Sequence, residues 1–323
     1  MSLPPLTLGP DDIHLVEDGE KNMPSIESDD IKQLYRSWVS AMSANPDMGL
    51  EELRQLFDHW GDITAEPGNV DYIEQPIGDF NAMWAIPKNC DQTKVALCTH
   101  GGGYVTGSMF THRKVFAHIV KAVGCRALIV DYKRAPEHTH PSQVEDCLVA
   151  YKYLLDEGYT SDKIFFTGDS AGGALATSTM LKARDEGLPL PACAVPMSPW
   201  YDPEGTGSTI ESNAATDALV QKDVLLSMAE TFLGGCPSDD PYANLLKADL
   251  TGISPIYIQV GADETLLDDS IRFEALAKKH GVEITLEIFD GMQHCFHLLA
   301  GRAIEADDAI DKIANWVKNY LAN

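Results

Sequence analysis

The chain has 323 residues, 44% of them hydrophobic, and a formal net charge of −25, which is enough material for one large domain or two small ones. Such an acidic surface repels nucleic acid and anionic membranes and suits a neutral or cationic small molecule. No apolar run approaches membrane-spanning length, and the N-terminus lacks a basic stretch followed by an apolar one, so a soluble cytoplasmic protein is expected.

In chain order, residues 1–65 read as polar loop plus helices. Ser28 and Asp29-Asp30 start one helix, with Ile31, Leu34, Tyr35, Trp38, Val39 and Met42 at helical spacing. A second helix fits Leu50 to Trp60, with Leu53, Leu56, Phe57 and Trp60 on one face. Packing against the core accounts for these aromatic residues without a ligand. Pro67-Gly68-Asn69 ends the pattern, and strands and helices then alternate. Strands are expected at 71–75, 81–86, 95–99, 127–131, 164–167, 193–197, 256–260 and 284–288, the first two as a hairpin. Helices are expected at roughly 111–123, 142–157, 171–186, 268–280 and 303–321. This is an α/β chain with a mostly parallel eight-stranded sheet covered on both faces by helices. Residues 201–250 break the alternation, with one helix near 223–232 and no clear strand. The expected organisation is an N-terminal helical cap segment over 1–65, a catalytic core over 66–200 and 251–323, and a cap insertion over 201–250. Seven scattered cysteines with no C-x-x-C pair argue against a disulfide framework and against a zinc site.

Gly168-Asp169-Ser170-Ala171-Gly172 is the most informative motif. An apolar strand precedes it and a small-residue helix follows, so the serine sits at the apex of a strand–turn–helix, the nucleophile-elbow arrangement. His100-Gly101-Gly102-Gly103-Tyr104 follows another apolar strand. Its glycines let backbone N–H groups approach a ligand, as an oxyanion needs, and His100 is placed to brace the loop. The loop lacks the lysine of a P-loop and the spacing of a dinucleotide site.

A serine hydroxyl needs a base, and His294 lies in a loop after the last strand, with His297 as its nearest rival. His112, His138 and His140 read as surface or structural histidines. For the acid, Asp263 lies closest to the end of the preceding strand, with Glu264 and Asp268 as alternatives, while Asp268 and Asp269 read as helix N-terminal caps. Tyr104, Met109, Phe110, Trp200 and Tyr201 stand near the motifs and are expected to line acyl and alcohol pockets or to be core. Cys295, beside the histidine, is expected to lie close enough to the site for a bulky thiol reagent to block it.

With these motifs in order, the chain resembles the bacterial hormone-sensitive-lipase-like esterases of the α/β-hydrolase fold over about residues 70–321. Asp131-Tyr132-Lys133-Arg134-Ala135-Pro136-Glu137-His138 is similar to a fourth, structural segment of that family. The resemblance implies an oxyanion hole from Gly102, Gly103 and Ala171, short- to medium-chain acyl esters as substrates, no cofactor and no metal. It also implies a possible homodimer through the sheet edge near 283–321. The family often has proline and then leucine directly after its catalytic acid; here Asp263 is followed by Glu264-Thr265-Leu266, one residue too many. A lactone hydrolase with the same triad, or a small-molecule receptor that has lost catalysis, are the alternative readings.

Overall fold

A computed structural model describes residues 24–322; the first 23 residues of the expected cap segment, and the N-terminus read for targeting, lie outside them. The eight expected strands are β1 (Val70–Ile77), β2 (Phe80–Pro87), β3 (Val95–Thr99), β4 (Arg126–Asp131), β5 (Ile164–Asp169), β6 (Cys193–Met197), β7 (Ile256–Gly261) and β8 (Ile284–Phe289). They form one sheet in the order β1-β2-β4-β3-β5-β6-β7-β8. β1 and β2 pair antiparallel, as does β2 with β4, and all other neighbours are parallel.

Both faces of the central strands are buried, which is why these strands read as unbroken apolar runs. The two-residue period still sorts their side chains between two cores. Val95 and Leu97 of β3 join one core with Leu148 of helix α5 (Ser142–Asp156) and Leu175 of α6 (Ala171–Asp185). Ala96 and Cys98 join the other with Val115 of α4 (Met109–Val123) and Ile310 of α10 (Ile304–Val317). The helix α9 (Leu267–Lys279) packs Phe273 into the first core.

The N-terminal helix α1 covers Asp29–Ala44, with Ile31, Tyr35 and Trp38 buried at helical spacing. The helix expected over 50–60 is broken into α2 (Leu50–Phe57) and α3 (Trp60–Ile63). Between them the hydrogen bonds tighten to a three-residue span, Gly61 N–H to Asp58 and Asp62 N–H to His59. That turn brings Phe57 and Trp60 edge to face, with centroids 4.9 Å apart. Between β6 and β7 the chain forms α7 (Thr209–Ser212) and α8 (Lys222–Leu233).

Candidate active site

The loops that leave the C-terminal ends of the parallel strands converge, as ligand sites do in open α/β sheets. β5 ends at Asp169, and Ser170 follows with φ 54° and ψ −123° before α6 begins at Ala171. This strained turn is held by hydrogen bonds from Ser170 N–H to the Met197 carbonyl (2.9 Å) and from Trp200 N–H to the Ser170 carbonyl (3.1 Å). Gly172 is required by close approach: a Cβ there would overlap the Thr99 carbonyl. The turn lifts the Ser170 hydroxyl to 2.9 Å from His294 Nε2.

His294 is buried, and its Nδ1 lies 2.8 Å from Glu264 Oε2. Nδ1–H donates to this carboxylate, which leaves Nε2 free to accept the Ser170 proton. Burial alone would push the His294 pKa down, but the Glu264 carboxylate and the more distant Asp217 and Asp169 more than offset it, so the pKa is raised. Asp263, expected as the acid, is therefore not the carboxylate against the imidazole. Its side chain is about a quarter exposed, 3.9 Å from Lys32 Nζ, and accepts from Gln293 Nε2 at 3.3 Å. The turn after β7 sets this outcome. Glu264 N–H bonds back to the Gly261 carbonyl, so its longer side chain folds inward under His294 while Asp263 faces out. Asp268 accepts from Ser208 N–H at 2.7 Å, and Asp269 accepts from the N–H groups of Tyr201 and Asp202, so both brace the neighbouring loop.

His297 donates from Nε2 to Gln259 Oε1 at 2.9 Å, and burial pushes its pKa down to about 3. His100 donates from Nδ1 to the Gly101 carbonyl at 2.8 Å and stacks on Tyr132 at 4.1 Å, bracing the glycine loop. His112 is buried, not at the surface: its Nε2–H donates to Asp169 Oδ2 at 3.1 Å, while Asp169 Oδ1 accepts from Gly101 N–H, also at 3.1 Å. This pair ties the glycine loop to the elbow. His138 is exposed, and His140 is buried, with its Nε2 3.0 Å from Asp240.

Gly102 (φ 110°) and Gly103 (φ 60°) border the cavity that holds Ser170 and His294. Ala171 opens α6, and the first N–H groups of a helix have no intrahelical acceptor, so they are available to an anion. A Cβ on Gly103 would overlap the Met228 sulfur, so α8 presses directly on this loop. The cavity is narrow, about 50 Å³. A larger depression of about 630 Å³ lies around Trp84 and Arg126, and neither Ser170, Glu264 nor His294 lines it.

Of the five expected pocket residues only Trp200 lines the cavity. Tyr104 is buried and stacks on Phe232 at 3.7 Å. Met109 is buried in the core beside α10, Phe110 is half exposed, and Tyr201 stacks on Phe273 at 4.1 Å. The walls come instead from α1, α2, α3 and the 201–250 segment, through Met42, Phe57, Trp60, Leu219, Leu225 and Met228. Helical spacing correctly marks the inner face of α1–α3, but Phe57 and Trp60 are cavity lining as well as packing. Cys295 is 1% exposed, and burial drives its thiol pKa far up, so it is a protected filler and not a target for a bulky reagent.

A family model described as the alpha/beta hydrolase fold matches residues 96–298. An acetyl-hydrolase of Streptomyces hygroscopicus is 37% identical over 238 residues, covering 74% of this chain and 78% of that protein. An esterase of Acinetobacter venetianus is 30% identical over 232 residues, covering 72% and 77%. A crystal structure of an esterase from the bacterial hormone-sensitive lipase family superposes with a TM-score of 0.88 at 36% identity, over 93% of this chain and all of the other. The esterase EstE5, in a crystal soaked with p-nitrophenyl butyrate, does so with a TM-score of 0.86 at 35% identity, over the same shares. The chain belongs to the bacterial hormone-sensitive-lipase-like esterases of the α/β-hydrolase fold, and it is a serine carboxylesterase.

Proposed function

We propose that this carboxylic ester hydrolase works through a Ser170–His294–Glu264 triad on short-chain acyl esters. The observation that carries the reading is the unbroken relay from hydroxyl to imidazole to carboxylate, 2.9 and 2.8 Å long. His294 Nε2 takes the Ser170 proton as Oγ attacks the ester carbonyl. The developing oxyanion lies against the backbone N–H groups of Gly102, Gly103 and Ala171. His294 then protonates the departing alcohol, and water releases the acyl group by the same route. α1–α3 and residues 201–250 act as the cap that walls the acyl site. Seven free thiols fit a reducing compartment such as the cytoplasm. The open edge of β8 suits pairing of two copies.

The cavity's size supports the short end of the chain-length range. At about 50 Å³ it lies far below the ~300–1,000 Å³ typical of pockets that enclose a drug-sized ligand. The Streptomyces hygroscopicus relative, an acetyl-hydrolase, favours the same end. In a p-nitrophenyl ester series, kcat/KM is expected to peak at acetate to butyrate and fall by decanoate. A rate that climbs through decanoate overturns the short-chain assignment, and faster turnover of six- or seven-membered lactones than of any linear ester makes the protein a lactone hydrolase.

The pH dependence follows from His294. The base must be neutral in the free enzyme, so the acidic limb of kcat/KM tracks its pKa. Because the neighbouring carboxylates raise that pKa, activity is expected to be lost as pH falls through a midpoint above the ordinary histidine value of ~6.5. A midpoint well below that value contradicts the assignment.

A further inference from the structure

β6 lies between the elbow strand β5 and the acid strand β7, and its C-terminal end reaches the site with a residue to which the mechanism gives no part. That residue, Ser198, is fully buried. Its φ of 46° is unusual for a residue with a Cβ, and its N–H is fixed on the Gln259 carbonyl at 2.7 Å. This backbone turns the hydroxyl into the gap between the acid loop and the histidine loop. Ser198 Oγ lies 2.6 Å from Glu264 Oε1, and the Cys295 backbone nitrogen lies 3.2 Å from Ser198 Oγ. A carboxylate cannot donate, so the hydroxyl gives its one proton to Glu264 and accepts from Cys295.

We propose that Ser198 is a positioning residue of the relay, holding the Glu264 carboxylate in the orientation that meets His294 while fixing the chain just after that histidine. The proposal rests on the triad reading above. Glutamate has one more rotatable bond than aspartate, so its carboxylate needs more restraint to present a single oxygen. Here Oε1 receives two donors, Ser198 Oγ–H and Gly261 N–H at 2.6 Å, and Oε2 is left for His294 Nδ1 at 2.8 Å. The serine bond is charge-assisted and therefore among the stronger kinds. One side chain thus ties the loops after β6, β7 and β8 together beneath the imidazole.

Ser198 does not line the cavity, so its loss is expected to spare substrate binding. Ser198→Ala keeps the Cβ and removes only the hydroxyl. The expected result is a kcat lower by ~10–100-fold, the size of a lost charge-assisted bond, with KM little changed. The groups facing His294 are the carboxylates of Glu264, Asp217 and Asp169, the His297 imidazole, the Ser170 hydroxyl on its Nε2, and the Tyr35 hydroxyl on its carbonyl; the substitution removes none of them. With the hydroxyl gone, the Glu264 charge acts undiminished on the imidazolium, so the acidic limb moves to higher pH. The low-field proton resonance of His294 Nδ1–H shifts or broadens in the same variant. A folded Ser198→Ala enzyme with wild-type kcat overturns the proposal. So does one slowed without any change in acidic limb or resonance, since that marks a packing role. If Ser198→Ala does not fold, Ser198→Cys, similar in shape and a weak donor, is read by the same criteria. Wild-type turnover by Glu264→Gln instead sinks the triad reading itself, a failure separable from that of Ser198.

Discussion

Ser170→Ala is expected to lower kcat on p-nitrophenyl acetate by ~10⁴–10⁶-fold, the range seen when a triad nucleophile is removed and only binding and oxyanion contacts remain. Labelling by a fluorophosphonate probe is expected to disappear with it. The substitution leaves the turn intact, because its strain is carried by backbone bonds to Met197 and Trp200 and alanine retains the Cβ that already sits at φ 54°. The hydroxyl's hydrogen bond is to His294, so the melting temperature is expected to stay within the few degrees that ~1 kcal/mol represents. A correctly folded variant that retains wild-type turnover, checked by active-site labelling of the same preparation, removes Ser170 as the nucleophile.

The parts of this site that were legible in the sequence are those whose geometry is local. Strand, serine and helix are contiguous from Ile164 to Asp185, and the glycine loop leaves β3 directly, so their positions follow from the order of apolar runs and small residues. The histidine loop is similar: it follows β8, and the only other histidine near it, His297, faces Gln259. The acid was harder because two carboxylates adjoin, and a two-residue turn decides which one faces inward. The signal was present in the run Glu264-Thr265-Leu266, which has the acid-x-leucine order of the family in register, while Asp263 requires an extra residue. The cavity wall was not legible, since Met42, Trp60, Leu225 and Met228 reach it from segments far apart in the chain. Tyr104 and Tyr201 are adjacent to motifs but point away from the cavity: one stacks on Phe232, and the other has its N–H held by Asp269. A single serine after a strand carries no pattern at all, and the place of Ser198 is set by three loops that meet only in the folded chain.

Glu264→Gln is expected to cost ~10⁴-fold in kcat, while Asp263→Asn stays within about threefold of wild type. The reason is the direction of one hydrogen bond. An ionised Glu264 accepts from His294 Nδ1, which obliges Nε2 to be the unprotonated nitrogen and able to take the Ser170 proton. The amide of glutamine can instead donate to Nδ1. That stabilises the tautomer with its hydrogen on Nε2, which cannot act as base toward Ser170. The same change removes the charge that raises the His294 pKa, so the residual activity is expected to show its acidic limb at lower pH, opposite in sign to the shift expected for Ser198→Ala. Asp263→Asn alters only a partly exposed carboxylate whose neighbours are Lys32 and Gln293, and an exposed pair of that kind contributes ~1 kcal/mol or less. The pair of substitutions separates the two adjacent acids. Collapse of activity in Asp263→Asn with normal turnover in Glu264→Gln requires the loop after β7 to refold in the working enzyme, bringing residue 263 under the imidazole.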